Sequence, residues 1–118
     1  MKENPTYDKA LCYAIRIVNL YKYLVAEKSE YVMSKQLLRS GTSIGANISE
    51  AISAESVPDF IHKLAVAQKE ANETKYWLTL LQRTGYLSSS QYQSMHTDCL
   101  EMIKILVSII LTTKQKSS

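Results

Sequence analysis

The chain is short of the residues that interrupt helices: three glycines and two prolines stand among 118 residues. That scarcity excludes a turn-rich β architecture and suits long helices joined by short connections. Cysteine is almost as rare. Cys12 and Cys99 lack the spacing of a metal or redox pair, so neither a disulfide framework nor a zinc clip supplies stability, and two reduced core thiols are expected. No apolar run approaches the roughly 18 residues that span a bilayer. The opening MKENPTYDKA has neither the apolar centre nor the small-residue cleavage site of a secretory leader. The expectation is a cytoplasmic protein without membrane contact. Charge of one sign is also modest, a net +3, which permits a nucleic-acid partner without requiring one.

What the chain has in quantity is apolar residues at helical spacing, in a length that fits one domain able to bury a single core. Two of its three glycines, Gly41 and Gly45, fall in RSGTSIGANISEA. At about 100° per residue Leu37, Leu38, Gly41, Ile44, Gly45, Ile48 and Ile52 share one arc, with Arg39, Ser43, Asn47 and Glu50 opposite. A phosphate-binding loop would need a preceding strand and a Gly-Lys-Ser/Thr ending, and Gly45 is followed by Ala46 and Asn47. The stretch is therefore an amphipathic helix. Each glycine costs such a helix about 1 kcal/mol relative to alanine, which implies a return from close packing.

Three further helices follow from the pattern, giving expected spans of 6–28, 34–55, 57–84 and 89–113 in one domain of residues 1–118. Helix 1 carries Tyr7, Leu11, Ala14, Ile15, Val18, Tyr21 and Val25 on its main face and a second apolar strip of Tyr13, Leu20, Tyr23 and Leu24. Ser56-Val57-Pro58-Asp59 is a start signal for helix 3, whose stripe is Phe60, Leu64, Ala67, Ala71, Thr74, Leu78 and Leu81. Gly85 reads as a left-handed cap, and Ser88 to Gln91 has capping-box spacing. Helix 4 places Tyr92, Met95, Cys99, Ile103, Leu106 and Ile110 on its core face, and the polar tail from Thr113 is expected to fray. Short loops favour an all-α, antiparallel up-down-up-down four-helix bundle. In that arrangement Gly41 and Gly45 come level with Ala67 and Ala71, so these four residues are the expected close helix contact.

The run QLLRSGTSIGANISEA, continued through DFIHKLAVAQKEANETKYWLTLL, GYL and ILVSIIL, resembles a bacterial family of four-helix-bundle proteins first noticed in intervening sequences of 23S rRNA genes. The family is also called a ribosomal protein family. The resemblance spans nearly the whole chain and is most specific at Arg39, Ser43, Ile44, Asn47, Ile48, Glu50 and Ala51, with Glu70 and Glu73 as a second block. Many members place glycine after the Glu50-Ala51 position. Here Ile52 stands there, which is expected to lengthen the helix and its apolar face. The family is similar to the accessory variability determinant of diversity-generating retroelements, a pentameric barrel that binds a reverse transcriptase and contacts nucleic acid. The resemblance thus implies a homopentamer with a reverse transcriptase or other nucleic-acid enzyme as partner. The second strip of helix 1 and the apolar run from Ile105 to Leu111 independently suggest surfaces to be covered.

Candidate site residues follow in two groups. Arg39, Ser43, Asn47 and Glu50 line a polar strip that is either a partner surface or, preferred, a structural network. Lys2, Lys9, Lys114 and Lys116 should gather at one end of the bundle, diluted by Glu3 and Glu55. With Arg16, Lys9, Lys114 and Lys116 are the candidate contacts for weak, sequence-tolerant RNA or DNA binding. No catalytic, cofactor or metal residue is assigned. Asp59-x-x-His62 and Glu70-x-x-Glu73 fall short of a two-metal motif, His96 and Cys99 lack a second ligand pair, and no glycine elbow surrounds a serine. Two function classes remain: a noncatalytic oligomeric interaction module tied to nucleic acid, preferred, and a small enzyme whose active site forms only between subunits.

Overall fold

The computed structural model describes residues 4–118 as four helices without a strand: α1 Pro5–Lys28, α2 Met33–Ile52, α3 Val57–Arg83 and α4 Ser89–Ser117. Each start has a local cause. Asn4 accepts from the Tyr7 backbone N–H at 2.9 Å ahead of Pro5, and Ser56 accepts from the Asp59 N–H at 3.1 Å ahead of Pro58. Ser88 and Gln91 form a reciprocal capping box at the start of α4. Gly85 has φ 88°, and the Tyr86 N–H reaches the Leu81 carbonyl at 2.9 Å, the left-handed ending expected of α3.

The start of α2 uses a device that the pattern did not reveal. Ser29 turns left-handed after α1 with φ 50°. The buried Glu30 carboxylate then accepts from the backbone N–H groups of Val32, Met33 and Ser34 at 2.8, 2.7 and 3.1 Å. Its own carbonyl accepts from the Ser34 hydroxyl at 2.8 Å. An anionic side chain thus stands at the positive end of the helix and satisfies orphan donors that a Ser or Asp cap would ordinarily take.

Two helix ends differ from expectation. α2 stops at Ile52 rather than near Glu55, because Ser53 and Ala54 bond back to Glu50 and Ala51 in a tightened last turn. Ile52 therefore ends the helix, exposed, instead of prolonging its buried face. The tail expected to fray from Thr113 is helical through Ser117. Thr113 and Ser117 hydroxyls donate to the carbonyls four residues earlier, and Lys114 and Lys116 suit the negative end of the helix.

The core joins Ala10, Tyr13, Ile17, Leu20 and Leu24 of α1 to Leu37, Ile44, Ile48 and Ala51 of α2, Leu64, Ala67, Ala71, Leu78 and Leu81 of α3, and Met95, Cys99, Met102, Leu106 and Ile110 of α4, with Phe60 of the expected α3 stripe only partly buried against it. In α1 the assignment of faces is the reverse of expectation. Tyr13, Leu20 and Leu24, read as the second strip, are buried, whereas Leu11 and Ile15 of the main face are exposed. The glycines explain the inversion. A Cβ at Gly41 would meet Ile17 side-chain carbons at 2.7–2.8 Å, and one at Gly45 would meet Ala10 at 3.6 Å. Their bare backbone admits α1. The expected contact with Ala67 and Ala71 is thereby corrected, although both alanines are fully buried. Where α2 meets α3, Ser40 and Thr74 instead place their hydroxyls 2.9 Å apart, with Thr74 also bonding the Glu70 carbonyl at 2.8 Å. No buried side-chain nitrogen or oxygen among the described residues lacks a partner.

Candidate functional site

The polar strip of α2 is a bonded network. Arg39 reaches across to α3, pairing with Glu70 at 3.2 Å and with Glu73, while Glu73 also accepts from the Trp77 indole at 3.2 Å. Ser43 donates to the Arg39 carbonyl at 2.6 Å, Asn47 donates to the Ser43 carbonyl at 2.8 Å, and Glu50 pairs with Lys63 at 3.3 Å. One fork-shaped cation thus holds two carboxylates three residues apart, a task for which a guanidinium is suited and an ammonium is not. Both sequence blocks, around Arg39 and around Glu70 and Glu73, meet at this point.

The α1–α4 seam is polar. Lys9 pairs with Glu101, Arg16 pairs with Asp98 and donates to Ser94 at 2.6 Å, and the Tyr13 hydroxyl donates to the Met95 carbonyl at 3.0 Å. Two candidate nucleic-acid contacts are therefore already matched by carboxylates, partners that lie 92 and 82 residues away in sequence. The expected grouping at one end is corrected as well. Lys9 stands level with Glu101, about 20 Å along α4 from Lys114 at 1.5 Å per residue. Lys114 and Lys116 are exposed and form no ion pair among the described residues, and Lys2 and Glu3 lie outside those residues.

Burial raises the Tyr13 hydroxyl's pKa far above its ordinary value and pushes the Cys99 thiol up to about 11. Cys99 donates to the Ala71 carbonyl at 3.2 Å, whereas Cys12, expected in the core, is exposed. His96 stacks on Tyr92 with ring centres 4.9 Å apart, and burial, then the charge of Lys75, lowers its pKa. No cluster of three or more His, Cys, Asp or Glu suited to a metal occurs among the described residues. None of their helices is long and apolar enough to cross a membrane.

Large apolar side chains are exposed on all four helices, with Ile52 of α2 and Val57 of α3 among them, and α1 and α4 carry two each. Leu11 and Ile15, 46% and 54% exposed, stand beside a shallow groove of about 260 Å³ lined by Tyr7, Ala14, Thr42, Gly45, Ala46 and Ser49. Leu100 and Leu111 are exposed on α4. Tyr31, Val32 and Tyr76 are further exposed side chains that the periodicity did not single out.

A family model described as 23S rRNA-intervening sequence protein matches residues 2–108. A crystal structure of a protein of unknown function from the S23 ribosomal protein family of Bacteroides thetaiotaomicron VPI-5482 is 62% identical, covers 89% of this chain and 97% of that chain, and superposes with a TM-score of 0.88. No curated protein matches.

Proposed function

Because the chain belongs to the family of 23S rRNA-intervening sequence proteins, we propose that it is a noncatalytic, oligomeric interaction module of the cytoplasm that works with nucleic acid or with an enzyme that handles it. The observation that carries this reading is the uncovered apolar face of α1 around Leu11 and Ile15. A helix that buries Tyr13, Ile17 and Leu24 on one side and presents leucine and isoleucine on another is apolar on more faces than a lone bundle uses.

In this reading the monomer is an up-down-up-down bundle. The paired positions support it, since numbers fall along one helix as they rise along its neighbour: Ala10 and Ile17 face Gly45 and Gly41, Glu50 and Arg39 face Lys63 and Glu73, and Lys9 and Arg16 face Glu101 and Asp98. The bundles associate through the α1 face, with Leu100 and Leu111 contributing, and a ring of five is the preferred assembly. Repetition around a ring turns a mild monomer charge into a field that attracts polyanions, and the partner class is RNA, DNA or a reverse transcriptase-like enzyme. The polar network of α2 and α3 holds the subunit together and performs no chemistry.

Light scattering on the purified chain tests the assembly. The expected mass is a multiple of 13.4 kDa, falling to the monomer when Leu11 and Ile15 are both replaced by glutamate. A wild-type monomer at micromolar concentration would sink the proposal. Sequencing of nucleic acid recovered with the native complex tests the partner class.

A further inference from the structure

A group of exposed cations without ion pairs among the described residues lies at the end of the molecule opposite Lys114 and Lys116. Tyr23, in the closing turns of α1, and Ser90 and Gln91, in the first turn of α4, line one groove. The α1–α2 and α3–α4 turns therefore share an end. Lys28, Lys35 and Arg83 are exposed there, and none forms an ion pair among the described residues. The acids of that end are Glu27 and Glu30, and the Glu30 carboxylate is buried against backbone N–H groups. Lys114 and Lys116 close α4 at the other end, where the α2–α3 turn and the first turn of α3 carry Glu55 and Asp59.

Aromatic surface accompanies the cations. Tyr31 is exposed at the tip beside the 75% exposed Val32. Along the outer stripe of α3, Lys69, Tyr76 and Arg83 recur at seven-residue spacing, about 10 Å apart on one face, and all three are exposed. We propose that this tip and the adjoining stripe of α3 bind single-stranded nucleic acid, with Lys28, Lys35 and Arg83 holding phosphates and Tyr31 and Tyr76 stacking on bases. The inference deepens the nucleic-acid reading above and rests on it. Cations that track a backbone, interleaved with exposed rings, are what a sequence-tolerant single-strand surface needs. A duplex hides its base faces and would meet the cations alone.

Fluorescence anisotropy with the full chain and labelled oligo-U or oligo-dT of about 20 nucleotides, longer than the roughly 4–16 nucleotides a small binding module covers, tests the site. Reversing charge at Lys28, Lys35 and Arg83 together should weaken binding at least about tenfold and lower the log–log salt slope by about 2. The corresponding glutamine set should act in the same direction. Lys114→Glu with Lys116→Glu should change affinity less than about twofold. Tyr31→Ala with Tyr76→Ala should weaken binding about fivefold or more and leave the salt slope unchanged. Comparing oligo-U with oligo-dT separates RNA from DNA. Tip variants that bind as wild type, a matched duplex bound as tightly as the single strand, or anionic vesicles displacing the probe would each overturn the site. Absence of wild-type binding at about 50 mM salt would overturn the nucleic-acid reading itself.

Discussion

Gly41 of α2 lies so close to Ile17 of α1 that a Cβ at position 41 would stand 2.7 Å from Ile17 Cγ1. Ile17 is fully buried and cannot swing away, so Gly41→Ala should cost about 1–3 kcal/mol despite better helix propensity. Gly45 meets Ala10 only at ordinary contact distance, so Gly45→Ala should be neutral or stabilising by up to about 1 kcal/mol. Adding Ile17→Val, which removes Cδ1, should recover part of the Gly41→Ala loss. Strictly additive urea midpoints in that double-mutant cycle would contradict the contact.

Arg39 is the single cation between Glu70 and Glu73. Its side chain is about half exposed, so the Coulombic part is screened, and Arg39→Ala should destabilise by about 1 kcal/mol. Arg39→Lys should recover less than half, because an ammonium cannot fork between two carboxylates. Full recovery by lysine in thermal melts would show that geometry is irrelevant there.

His96 ties stability to pH. Its folded pKa lies below the ordinary 6.5, through burial and then Lys75, so between the two values the unfolded chain binds more protons. Stability from this group is therefore fully present above about pH 6.5 and declines as pH falls toward the folded pKa, below which the loss levels off. His96→Phe, which keeps an aromatic ring against Tyr92, should flatten that part of the urea-midpoint profile. An unchanged slope would remove His96 as its cause.

The two thiols should separate cleanly under alkylation. Cys12 is exposed and should react in the native state, whereas Cys99, buried, bonded to the Ala71 carbonyl and raised to about 11, should react only on unfolding. Mass spectrometry after brief iodoacetamide treatment should find a single label. Equal labelling of both would mean that the core opens readily.

The sequence made the starts of α1, α3 and α4 and the α3 stripe plain, because proline, polar caps and the 3.6-residue period are local. Leu64, Ala67, Ala71, Thr74, Leu78 and Leu81 are all buried as expected. α1 misled because it is apolar on two sides, and periodicity cannot say which side a neighbour will claim. The choice depended on Gly41, whose bare backbone receives Ile17. Lys9 and Arg16 looked available for phosphate because their carboxylates belong to α4, out of reach of any local pattern. The tip cations were equally hidden, since they gather only after two separate turns share one end.

Glu30 has a kinetic consequence. The chain reverses within residues 29–32, and both helix ends there are satisfied by the left-handed Ser29 and the buried carboxylate. Closing so short a loop sacrifices little chain entropy, so α1 and α2 can find their register without help from the second half of the molecule. The prediction is that the first helical hairpin is the folding nucleus onto which α3 and α4 condense. Glu30→Ala should accordingly slow refolding more than it speeds unfolding in stopped-flow measurements, and a loss confined to the unfolding rate would place the nucleus elsewhere.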